Sequence, residues 1–157
     1  MMNSFRAKTI AAATIASLLS SMAGSAMAAS GCFRIGDIEA EQAIRFQTEL
    51  MVLSDTCGGD TYRDFTVRNR DTIVFYQHAL IEHFRRDGAR KPEAIFDSYL
   101  TQIANETALN SGRELARVVC GRSADFLAQA RTLDGDQFRH RAAEMAVENG
   151  ASYRRCP

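Results

Sequence analysis

The chain has 157 residues, with 19 Lys and Arg balancing 19 Asp and Glu, and 46% of its residues are hydrophobic. That balance excludes the strongly basic character that nucleic-acid binding calls for. The length suits one ordinary domain, and no composition shift, internal repeat or low-complexity segment marks a second.

The first stretch reads as an export signal. Arg6 and Lys8 form a basic start, Thr9 to Leu19 an apolar alanine-rich core, and Ala26-Met27-Ala28 an A-x-A cleavage site. The core is too short to span a bilayer, which takes roughly 20 apolar residues. Cleavage after Ala28 would leave residues 29–157 as a single helical domain, slightly acidic once Arg6 and Lys8 are gone. No later stretch is apolar enough to span, so no membrane span is expected after cleavage. Ala29-Ser30-Gly31-Cys32 also resembles a bacterial lipoprotein box, in which Cys32 would be lipidated. Against that, Ala29 replaces the usual leucine, and lipidation would leave three cysteines with one unpaired thiol. The expected location is the periplasm or the exterior.

Asp37 is placed to cap a helix over Glu39–Leu53, whose inward stripe is Ala40, Ala43, Ile44, Gln47, Leu50 and Met51. Glu39 and Glu41 sit near its positive N-terminal end. Ser54 to Thr61 is a turn cluster in which Gly58-Gly59 stops the helix.

Asp64 to Gly88 is the next segment and the longest without a breaker. Phe65, Asn69, Ile73, Tyr76, Leu80, His83 and Phe84 share one arc, with Val67, Val74 and Ile81 beside it. A helix apolar over so much of its circumference is expected at the centre of the bundle, roughly over residues 64–87. Gly88 is its C-cap.

Pro92 opens a helix running to Leu109. Asn110-Ser111-Gly112 breaks it, and Ser111 caps a further helix from Gly112 to Thr132. Asp136 caps a last helix carrying Phe138, Ala142, Met145 and Ala146, which ends at Gly150. The tail to Pro157 is extended. These elements define an all-α fold, a small disulfide-stapled bundle of about five helices.

Four cysteines lie beyond the signal: Cys32, Cys57, Cys120 and Cys156. An even count in an oxidising compartment fits two disulfides. Cys32 and Cys156 flank the helical region, and ends of a domain often meet. The preferred pairing is therefore Cys32 with Cys156 and Cys57 with Cys120. There is no CxxC or CxxCH, so redox-pair, paired-thiolate zinc and c-type haem readings lack support.

The chemistry-bearing residues are few. Asp71, His78 and Glu82 share the polar arc of the 64–88 helix, where carboxylates beside a histidine can make a binding site or merely a solvated charged face. His78 and His83 are five residues apart and point to different faces, and HExxH is absent. His83 among aromatic residues reads as a buried histidine with one hydrogen-bond partner, or as a pH sensor. Met51 and His140 could be cast as haem ligands, although nothing fixes them on facing positions. Gln47, Asn69 and Asn105 lie at or beside inward stripes and would need partners, or would line a small polar pocket. Asn105-Glu106-Thr107 matches the N-glycosylation pattern. Serine-nucleophile, phosphate-loop and paired-carboxylate motifs are missing. The reading is an exported protein that binds a protein partner, without cofactor or evident catalysis. The alternatives are a small-ligand or metal carrier or a chaperone-like accessory protein, with an enzyme ranked last.

Overall fold

A computed structural model describes residues 31–157; the export-signal residues, the A-x-A site and Ala29-Ser30 of the lipoprotein-box resemblance lie outside that range. Seven α-helices run in order: α1 (Ile35–Cys57), α2 (Thr61–Arg68), α3 (Arg70–Arg86), α4 (Pro92–Gly112), α5 (Ala116–Arg122), α6 (Ala124–Thr132) and α7 (Gly135–Asn149). A 3₁₀ turn at Gly150–Ser152 leads into the tail. The fold is an all-α disulfide-stapled bundle, with no strand among the described residues.

The central helix is α1, not the 64–88 segment. It packs against each of the other six helices and buries Ile38, Ala40, Ala43, Ile44, Phe46 and Leu50. It starts earlier than the stripe predicts. The N-cap is Arg34 and Asp37 is the third helical residue, so its carboxylate reaches back to accept from the Arg34 amide at 2.9 Å. That is the returning half of a capping box. Gly58 and Gly59, at φ +74° and +101°, take the left-handed conformations that stop the helix.

The 64–88 segment is two helices. Asn69, at φ −107° and ψ 16°, ends α2 and begins α3. Its side-chain amide donates to the carbonyls of Phe65 (2.9 Å) and Leu133 (3.1 Å). Next to it, the Arg68 guanidinium donates to the carbonyls of Leu133 (2.9 Å) and Arg131 (2.8 Å). These are C-terminal carbonyls of α6, which lack intrahelical partners. The kink thus positions two side chains to cap another helix. A similar break at Ser123 splits the expected Gly112–Thr132 helix into α5 and α6, while Ser111 is buried inside α4 instead of capping the helix after it. The last helix is capped by Asp134, not Asp136: its carboxylate accepts from the amides of Asp136 (3.1 Å) and Gln137 (2.9 Å).

The core is aromatic where α1, α2, α3, α6 and α7 converge. Phe46 lies 4.7 Å from Phe126 and 5.6 Å from Phe138, and Phe138 lies 4.9 Å from Phe65. Tilted and edge-on pairs of this kind each add about 0.5–1.5 kcal/mol beyond area burial. Two disulfides close the structure. Cys57 at the end of α1 is bonded to Cys120 in α5, and Cys32 to Cys156 in the tail. Phe33 pairs with the tail, its amide donating to the Arg154 carbonyl at 2.8 Å and its carbonyl accepting from Cys156 at 3.1 Å.

Candidate functional site

Asp71, His78 and Glu82 all lie exposed on α3. They are not drawn into a site: Glu82 pairs with Arg85, and no hydrogen bond or ion pair joins His78 to either carboxylate. Among the described residues no group of three or more His, Cys, Asp or Glu could hold a metal ion. Met51 and His140 are not brought together either. Met51 lines a groove beside the end of α1, while His140 is exposed on α7 with Nδ1 3.2 Å from Glu144. Of the three polar residues expected near inward stripes, Asn69 is buried in the α2–α3 kink, Gln47 is half-buried and Asn105 is exposed.

The buried polar chemistry lies instead on the N-terminal half of α1, in two clusters. In the first, the fully buried Glu41 carboxylate accepts from the Tyr99 and Tyr153 hydroxyls, from Gln42 Nε2 (2.6 Å) and from Arg45 Nε (3.1 Å). Asn149 Nδ2 donates to Gln42 Oε1 at 2.7 Å and extends the network to α7. Burial, with Glu41 beside them, pushes both phenols above their usual range, so they stay protonated donors. Burial works against the Arg45 charge, but Glu41 and Tyr99 outweigh it and hold the guanidinium charged. One carboxylate thereby ties α1 to α4, α7 and the tail.

The second cluster surrounds His83, which is buried. Its Nδ1 lies 3.4 Å from Asp37 and its Nε2 3.7 Å from Asp87, with the Phe33 ring centroid 4.1 Å away. Asp37 also accepts from Arg86. Burial raises the Asp37 pKa, but the Arg86 hydrogen bond, the Arg34 amide and the neighbouring positive charge more than offset it, leaving the group below its usual value. His83 therefore lies between two carboxylates, and among the described residues it lacks the single hydrogen-bond partner expected of it. Its Nε2 has no hydrogen bond.

The Glu41 carboxylate is closed off from solvent. Acid–base chemistry needs a group that can reach a substrate, and Glu41 is enclosed with its lone pairs taken up by protein donors. Accessible space lies at the opposite end of α1. There an open groove of about 960 Å³ runs between the ends of α1 and α4, the start of α2 and the start of α5. Small and apolar residues line it, among them Met51, Val52, Ala104, Ala108 and Ala116, with three carboxylates (Asp55, Asp60 and Glu114) against the single guanidinium of Arg63. Ser54 is buried in its wall with an Oγ that has no partner. Leu109 on α4, Leu115 just before α5 and Val118 on α5 are exposed.

The two disulfides fit an oxidising environment outside the cytoplasm. No helix among the described residues is long and apolar enough to cross a membrane. Compared with known proteins, the chain matches no family model, no curated protein and no solved structure.

Proposed function

We propose that this is an exported protein, periplasmic or secreted, that works by binding a protein partner and carries out no catalysis. The observation that supports this reading is the separation of polar chemistry from accessible space. Buried ionisable groups are engaged with one another at one end of α1, while the groove at the other end offers small, apolar and acidic lining. Such a groove suits a partner segment with apolar side chains, since Asp60 and Glu114 are already paired with Arg63 and Arg122. A shallow, polar-rimmed apolar surface is characteristic of transient protein contacts.

The test uses a photo-crosslinking residue at Ala108 in the groove and, as control, at exposed Ala143 on α7. Crosslinking in the producing cell should give a discrete protein adduct from position 108 and none from 143. A synthetic segment of that protein should then bind the purified chain and fail to bind Ala108→Arg, which places a cation in the groove. Identical adduct patterns from both positions would overturn the proposal.

A further inference from the structure

The end of the molecule closed by Cys32–Cys156 is a basic pole assembled from three separate segments. Arg34 comes directly after Phe33, which pairs with the tail at Arg154 and Arg155. Arg86 reaches the same place from the end of α3, where it pairs with Asp37. Arg90 and Lys91 lie three and four residues beyond Asp87, whose carboxylate abuts Gly31, so the chain keeps them within roughly 14 Å of it. Arg34, Arg90, Lys91, Arg154 and Arg155 are all exposed, and none has a carboxylate partner among the described residues. Elsewhere most arginines are neutralised, as in Arg45–Glu41, Arg63–Asp60, Arg122–Glu114 and Arg141–Glu144.

Three of the four described carboxylates flanking this pole have hydrogen-bond partners, while Asp87 lies 3.7 Å from His83 Nε2 without a hydrogen bond. Asp37 holds Arg86 and Asp87 faces His83, while Glu93 pairs with Arg85 and Glu39 accepts from Tyr76. Among the described residues, five exposed cations without a carboxylate or hydrogen-bond partner thus belong to this end, against Arg70, Arg113 and Arg117 elsewhere, and the rest of the described chain carries an acidic excess. Ile35, 70% exposed, projects from the first turn of α1 directly beside Arg34.

We propose that this pole docks on the surface of an anionic phospholipid bilayer. Unpaired guanidinium groups meet lipid phosphates at the headgroup level, and Ile35 enters the boundary with the acyl chains. Arginine suits this contact because its planar fork donates two parallel hydrogen bonds to a phosphate. The exposed isoleucine favours a bilayer over a nucleic acid, whose phosphate backbone offers it no apolar environment. This docking goes beyond the groove reading and leaves the groove, at the far end of α1, facing away from the membrane.

The test is co-sedimentation of the oxidised chain with vesicles of phosphatidylcholine alone or mixed with phosphatidylglycerol. Binding is expected only to the mixed vesicles, at low salt, and should fade as salt rises from about 0.05 to about 0.5 M. Arg90→Gln and Lys91→Gln should each weaken it roughly fivefold. Ile35→Ser should weaken it while leaving the salt dependence unchanged. The controls Arg113→Gln and Arg117→Gln, at the groove end, should have no effect. All variants share one N-terminus, so any contribution from residues before Gly31 cancels. Equal weakening by the controls, or no binding at low salt, would overturn the proposal. Tighter binding to a short DNA duplex than to the mixed vesicles would replace it with a nucleic-acid surface.

Discussion

The Glu41 network makes a prediction that separates a satisfied buried charge from a merely buried one. In Glu41→Gln the side chain keeps its size, but one carboxylate oxygen becomes a donor, facing the Tyr99 hydroxyl at Oε1 or the Tyr153 hydroxyl at Oε2. At least one hydroxyl then loses its acceptor in a dry site, and Arg45 loses its closest anion at 3.0 Å. Breaking a buried charged pair from one side costs about 3–5 kcal/mol. Arg45 keeps 31% of its side chain exposed and has Glu106 at 3.6 Å as a second partner, so the low end applies. We expect about 3 kcal/mol, or a fall in Tm of about 10 °C for a domain of this size. The triple variant Glu41→Leu/Tyr99→Phe/Tyr153→Phe removes the acceptor together with both hydroxyls and should lose less than Glu41→Leu alone, because only Gln42 Nε2 and the partly exposed Arg45 are then left without it. Thermal and urea unfolding followed by circular dichroism, with the disulfides intact, measures all three. A Glu41→Gln variant within about 0.5 kcal/mol of wild type, or a triple variant less stable than Glu41→Leu, would refute the reasoning.

The same geometry sets further outcomes. Cys57→Ala/Cys120→Ala opens a loop with a sequence separation of 63 and Cys32→Ala/Cys156→Ala one of 124; chain entropy assigns them about 4 and about 5 kcal/mol, so an unchanged urea midpoint in either would count against it. Asp37, held below its usual pKa, contributes stability that is present above the unfolded carboxylate value and lost as pH falls through the folded one. Wild type should therefore lose stability below about pH 4, and Asp37→Asn should lose less over that range in pH-dependent denaturation. Glu49 has the opposite sign. Burial, aided by Glu41 and Glu106, outweighs Arg45 and raises its pKa, so its ionisation destabilises the fold as pH rises. Glu49→Gln should be more stable than wild type at pH 7, and that advantage should vanish in acid. Alanine at Asp71, His78 or Glu82 should change stability by no more than about 0.5 kcal/mol in urea unfolding.

Helix periodicity made the all-α class readable, but it misplaced the hub for a physical reason. A hydrophobic wheel counts Asp37, Glu41, Gln42 and Thr48 as solvent-facing, yet α1 buries all four because partners from other elements satisfy most of them. The same wheel places Val67 and Val74 on an apolar strip beside the core arc, and both are exposed. Asn69 is invisible to a pattern argument because its role depends on the Leu133 carbonyl, 64 residues away. The Glu41 network was no more legible: Tyr99, Asn149 and Tyr153 meet it only through tertiary packing. The groove could not be read at all, since it exists only where four helix ends meet.

The Cys32–Cys156 bond has a topological consequence. It makes the backbone between those residues a closed ring, and Cys57–Cys120 crosses that ring with a second covalent tie. A protease that cuts once anywhere between Cys32 and Cys156 releases nothing; the product stays one molecule of unchanged composition, apart from an added water. In a compartment rich in proteases, damage to an exposed turn such as Gly58-Gly59 would be a nick in a loop and not the loss of a fragment.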